Sequence, residues 1–145
     1  MHTVRQILHE KGNRVWTIAP DETVFEAVRR MAEHGIGALV VVERGELSGI
    51  VSERDYARKI ILKGRASPST HVFEIMSSPV VTADMDWEVE RCMREMTERR
   101  IRHLPVVEHG RLAGMVSIGD VVKAIISDQR FMIAQLEQYI QAKVE

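Results

Sequence analysis

Apolar and polar positions follow two alternating periods along this chain. Val24, Ala27, Val28, Met31 and Ala32 recur at helical spacing, and Gly35 supplies a stop. Residues 39–42 form a β-branched run too apolar for a strand with one wet face, so they are predicted to lie buried in a sheet. Glu43-Arg44-Gly45-Glu46 has the composition of a hairpin turn, and residues 47–52 return as the partner strand. A second helix begins near Glu53 and carries Tyr56, Ala57, Ile60 and Ile61. Ahead of the first helix, residues 16–18 make a short extended piece ended by Ala19-Pro20-Asp21. The order is strand, helix, strand, strand, helix.

The same order then recurs. Residues 15–63 align without a gap on residues 80–128, an offset of 65, and twenty of the forty-nine positions are identical. Thr17/Thr82, Asp21/Asp86, Met31/Met96, Gly45/Gly110, Gly49/Gly114, Ser52/Ser117 and Asp55/Asp120 are among them. The lead-ins agree as well: Val4-x-x-Ile7-Leu8 resembles Val72-x-x-Ile75-Met76. A unit of about fifty residues buries too little surface to be stable alone. The expected fold is therefore α/β (α+β), with two pseudo-twofold-related β-α-β-β-α repeats packed through their sheets. The expected division is 1–69 for the first repeat with its N-terminal helix and linker, 70–128 for the second repeat, and 129–145 for a C-terminal helix extension. Clefts between repeats are favoured places for small-molecule sites. Beyond residue 128, Ile133, Leu136 and Ile140 prolong an apolar stripe with no counterpart in the first repeat. Such a stripe needs cover, from a partner subunit or from the repeats themselves.

Composition narrows the classes. The chain has 145 residues, 20 Lys and Arg against 21 Asp and Glu, and a formal charge of −1. That balance argues against a nucleic-acid binder, which normally shows a basic excess on one face. No apolar run approaches the roughly 18 residues of a membrane span, so no membrane partner and a cytoplasmic location are expected. The single cysteine, Cys92, permits no intramolecular disulfide. It aligns with Ala27 on an apolar helix face and reads as a buried structural residue. The six histidines lack His-x-x-x-His spacing, so no metal site is expected. No phosphate loop and no nucleophile–base pair stand out, so a catalytic role and a catalytic cofactor are not expected.

Both strand–helix junctions carry Gly-h-h-Ser-x-x-Asp: Gly49-Ile50-Val51-Ser52-Glu53-Arg54-Asp55 and Gly114-Met115-Val116-Ser117-Ile118-Gly119-Asp120. Their approach segments are Gly35-Ile36-Gly37-Ala38-Leu39-Val40-Val41-Val42 and Arg100-Ile101-Arg102-His103-Leu104-Pro105-Val106-Val107. This paired pattern resembles cystathionine β-synthase (CBS) domains, specifically a stand-alone tandem pair of the bacterial type, and the likeness covers nearly the whole chain. The resemblance implies an adenine nucleotide ligand (AMP, ADP, ATP or NAD(H), with S-adenosylmethionine in the same class), a regulatory, energy-sensing role, a homodimer and an unidentified target protein.

Ser52-x-x-Asp55 and Ser117-x-x-Asp120 each satisfy a helix capping box. The resemblance adds that Asp55 and Asp120 accept ribose hydroxyls while Ser52 and Ser117 face a phosphate. An open helix N-terminus serves both uses. Arg54 sits in a first helical turn, where a cation opposes the helix dipole unless an anion binds beside it. Gly119 stands there in the second repeat and admits close backbone approach. Ile36, Gly37 and Ala38 are small and apolar, suited to adenine. Arg102 and His103, followed by Leu104 and Pro105, place potential cations at the matching position, suited to phosphate. Thr17, Thr82 and Ile118 complete the implied contacts. The expected mechanism is a population shift on nucleotide binding. Two alternatives stand beside it: a structural interaction module with empty clefts, and a small nucleotide-processing enzyme.

Overall fold

Arg44-Gly45 and His109-Gly110 all take positive φ, at 53°, 79°, 53° and 74°. Two successive left-handed residues give the turn whose twist matches a right-handed strand pair, so each repeat folds as a tight hairpin. The structure, a computed structural model, describes residues 1–144. Its elements are α1 (Val4–Lys11), β1 (Thr17–Ile18), α2 (Val24–His34), β2 (Ala38–Glu43), β3 (Glu46–Ser52), α3 (Glu53–Tyr56), α4 (Val72–Ile75), β4 (Ala83–Asp84), α5 (Val89–Arg99), β5 (His103–Glu108), β6 (Arg111–Ser117) and α6 (Ile118–Val144). They form two three-stranded sheets, β1-β2-β3 and β4-β5-β6. In the first sheet β1 runs parallel and β3 antiparallel to the central β2. The chain is thus a mixed α+β protein with a long C-terminal helix, and α2/α5, β2/β5 and β3/β6 share the 65-residue offset.

The repeats differ where their sequences do. Val40 donates its backbone N–H to Trp16 O, and Thr17 pairs with Val40. Pro105 occupies the matching place in β5 and has no N–H to give. Accordingly β4 starts one position later, with Ala83 opposite Val106, and Thr82 falls outside the strand. The helix after β3 also departs from its twin. It widens to a looser turn over Ala57–Ile61 and stops, whereas α6 runs 27 residues.

Two compact units emerge, and they do not follow the expected boundary at 69/70. One contains Met1–Asn13 with Thr82–His109 and Ala113–Glu145, of which residues up to 144 are described; the other contains Arg14–Val81 and Gly110–Leu112. The N-terminal helix, expected with the first repeat, belongs to the second repeat's unit. Val4 N–H donates to Trp87 O, Arg5 N–H to Met85 O, and Val89 N–H to His2 O. The first repeat receives the segment that follows it in the same manner: Val72 N–H to Glu22 O, Phe73 N–H to Pro20 O, and Val24 N–H to Thr70 O. Each lead-in therefore docks on the other repeat's framework through the same three main-chain bonds.

Apolar burial completes each docking. Val4, Ile7 and Leu8 are buried in one unit, and Val72 and Ile75 in the other. The first repeat's core gathers Ile18, Val24, Ala27, Met31, Leu39, Val41, Val51 and Ile60 around Val72 and Ile75. A Cβ at Gly114 would meet Leu8 Cδ1 at 2.7 Å, and one at Gly49 would meet Met76 Sδ at 2.6 Å. The motif glycines are thus seats for the lead-in side chains. Cys92 is fully buried, and burial pushes its thiol up to about 11. Among the described residues no helix is long and apolar enough to cross a membrane, and no three His, Cys, Asp or Glu gather as a metal would need.

Candidate functional site

Each β-hairpin ends in a serine that both closes a strand and caps a helix. Ser52 lies opposite Ala38 in the β2–β3 register, and Glu53 N–H donates to Gly37 O at 3.0 Å. In the other unit Ile118 N–H donates to Arg102 O at 2.8 Å. The approach segment and the helix start are therefore stitched together in both units. Ile36, Gly37, Ala38, Ser52, Arg54 and Asp55 cluster at one junction. Arg102, His103, Ser117, Ile118, Gly119 and Asp120 cluster at the other.

The carboxylates are anchored but not saturated. Asp55 Oδ2 accepts from Ser52 N–H and Ser52 Oγ, both at 3.0 Å, and Asp55 N–H donates back to Ser52 Oγ at 3.2 Å. Its Oδ1 lies 3.1 Å from Lys59 Nζ and 3.5 Å from Ser77 Oγ. Asp120 Oδ2 accepts from Ser117 N–H at 2.8 Å and Lys11 Nζ at 2.7 Å, with Asp120 N–H on Ser117 Oγ at 3.2 Å. Among the described residues Asp120 Oδ1 has no hydrogen-bond partner. The capping boxes are present at both junctions. One carboxylate oxygen is left open at the second junction, while the matching oxygen at the first is shared with a lysine and a serine.

Charge is arranged to keep Asp120 ionised. Burial alone would raise its pKa, but the Lys11 ammonium and the Ser117 N–H outweigh it and hold the carboxyl below its ordinary value. Neighbouring His103, half-buried at the start of β5, is lowered from 6.5 by burial first and then by the Lys11 and Arg102 charges, with Asp120 opposing. Lowered from 6.5, the imidazole is neutral at neutral pH, so of the two potential cations named for this segment His103 offers a hydrogen-bond donor and Arg102 the charge.

The remaining expected residues sit farther from this geometry. Thr17 is exposed on β1, opposite Val40 and so two positions along from Ala38. Thr82 is half-buried ahead of β4. Leu104 is fully buried and Pro105 is buried, so they shape the strand beneath the junction. Lys11, Lys59 and Ser77 reach the carboxylates without having been singled out. Lys59 follows Asp55 by four residues, an ordinary helical pair. Lys11 comes from 109 residues away, and no local pattern announces it.

A family model described as "CBS domain" matches residues 4–62 and 72–127. Among curated proteins, the CBS domain-containing protein CBSX3, mitochondrial, of Arabidopsis thaliana is 44% identical over 149 residues, covering 96% of this chain and 72% of the relative. A solved CBS-domain protein from Burkholderia ambifaria MC40-6 superposes with a TM-score of 0.85 at 47% identity, covering 88% of this chain and 96% of its own. The CBS domain pair of protein MJ0100, solved in complex with 5′-methylthioadenosine and S-adenosyl-L-methionine, has a TM-score of 0.78 at 26% identity over 88% of this chain and 98% of its own.

Proposed function

The chain belongs to the CBS-domain family, and from that premise we propose that it is a non-catalytic regulatory module that binds adenosine nucleotides at its two Ser-x-x-Asp junctions. The observation that carries the proposal is the Asp120 carboxylate. Its Oδ2 is fixed by Ser117 and Lys11 while its Oδ1 has no hydrogen-bond partner among the described residues. An ionised carboxylate held in one orientation with a vacant oxygen is suited to accept ribose hydroxyls, as acidic residues do in dinucleotide sites. The adenosine-containing ligands on the MJ0100 pair support the same ligand class. AMP, ADP, ATP and NAD(H) all carry the required ribose and phosphate.

Binding would favour the conformers in which a junction is closed on its ligand, and a target protein would read that shift. The module is further proposed to work as a homodimer. From residue 129 to 144 every α6 residue is exposed, Met132, Ile133, Leu136, Tyr139 and Ile140 among them, and a second copy would cover that stripe. The test is thermal unfolding with and without AMP, ATP and NADH. A ligand that binds only the folded chain raises the melting temperature with concentration. No rise with any of them contradicts the proposal, and turnover of ATP or NADH would contradict its non-catalytic part.

A further inference from the structure

Lys11 ends α1, and its ammonium bridges two acceptors of the second repeat: Asp120 Oδ2 at 2.7 Å and the main-chain oxygen of Met115 at 3.0 Å. Lys59 makes a comparable bridge in the other unit, between Asp55 Oδ1 at 3.1 Å and the main-chain oxygen of Ile75, in the lead-in helix, at 2.8 Å. The two lysines are not repeat equivalents. Lys59 aligns with Ala124, and Lys11 aligns through the lead-ins with Pro79. Two unrelated backbone positions thus deliver one chemical group to two matching carboxylates.

Stability is a weak reason for this repetition, since half-exposed ion pairs contribute little. An ammonium has three N–H donors. At Lys11 two of them are used, and among the described residues the third meets no acceptor. Arg102 and His103 belong to the same junction, where Ile118 N–H donates to Arg102 O, and the Lys11 and Arg102 charges both lower the His103 imidazole. We propose, resting on the nucleotide reading above, that Lys11 is a phosphate-reading residue of the Asp120 site. The ribose takes the vacant Oδ1, Lys11 keeps Oδ2, and its remaining N–H bonds a phosphate oxygen of a nucleoside phosphate. The N-terminal helix thereby supplies a specificity-determining residue to the second repeat's site.

The test compares AMP with adenosine by calorimetry on the full chain, reading the class of sites lost in Asp120→Ala. Lys11→Met is expected to weaken AMP by about tenfold or more, the scale of one charge-assisted bond, and adenosine by less than about twofold. Lys11→Arg, which restores the cation, should recover most of the AMP affinity. Unchanged melting of both variants shows that the fold is intact. If Lys11→Met leaves AMP unaffected, or weakens adenosine as steeply as AMP, the assignment to phosphate is overturned. If the wild-type chain binds neither ligand, the nucleotide reading itself fails and takes this inference with it.

Discussion

Leu8 and Gly114 are in contact so close that the glycine cannot gain a side chain without moving the leucine: a Cβ there would sit 2.7 Å from Cδ1 and 2.9 Å from Cδ2. The pair fixes α1 onto the second repeat's sheet. Met76 and Gly49 are its counterpart in the first repeat, with one difference. A Cβ at Gly49 would also meet the main-chain oxygen of Ser77 at 3.0 Å. Leucine methyls can turn aside, but a hydrogen-bonded backbone gives little. Gly49→Ala is therefore expected to destabilise by about 1–3 kcal/mol, the scale of overpacking, and Gly114→Ala by less. Denaturant unfolding of both variants checks the order, and a larger loss at Gly114 would contradict it.

Removing the leucine tests the same docking from the other side. Leu8 is 5% exposed, so Leu8→Ala should cost about 2–5 kcal/mol through lost burial and the cavity left behind. Amide exchange should rise in α1 and β6 together. If α1 alone became labile while β6 kept its protection, the helix would be an appendage rather than part of that unit.

Docking of α1 should also depend on pH. His2 Nδ1 lies 2.6 Å from Asp128 Oδ1, and that bond holds the imidazole above its ordinary 6.5 against the opposing effect of burial. A raised folded pKa means that the stabilisation is complete below 6.5 and is lost as pH rises through the folded value. For Asp128 burial would raise the pKa, but the His2 N–H and imidazole prevail and keep it below 3.8. Its contribution is present above about 3.8 and fades as pH falls. The pair is strongest between those limits. The melting temperature of the wild type should fall more steeply than that of His2→Ala from pH 6 to pH 8.5. Parallel curves would contradict the linkage; His103, lowered and therefore of opposite sign, contributes equally to both proteins.

Assembly has its own test. Leu136→Lys combined with Ile140→Lys places two charges in the exposed stripe of α6. Light scattering should show loss of the proposed dimer with the repeat core still folded. An unchanged dimer would remove α6 from the contact.

Much of the architecture was legible in the chain, because helical and strand periods and the Arg44-Gly45 and His109-Gly110 turns are local signals. The Ser-x-x-Asp junctions were legible for the same reason, both as caps and as candidate ligand positions. The exchange of lead-ins was not. Val4-x-x-Ile7-Leu8 and Val72-x-x-Ile75-Met76 carry the same apolar pattern, so either segment suits either sheet, and only tertiary packing decides. Lys11 was hidden for that reason too, since its place at Asp120 depends on where α1 docks. The later start of β4 was readable in principle from Pro105, which removes one donor from the central strand.

The proposed recognition of ribose by the junction carboxylates is tested most directly by titrating the wild-type chain and Asp120→Ala with AMP and with its 2′-deoxy analogue. On the wild type the deoxy analogue should bind more weakly, by about tenfold for one lost charge-assisted hydrogen bond. On Asp120→Ala that difference should largely vanish at the second junction. Equal binding of the two nucleotides to the wild-type chain would leave Asp55 and Asp120 as helix caps and nothing more.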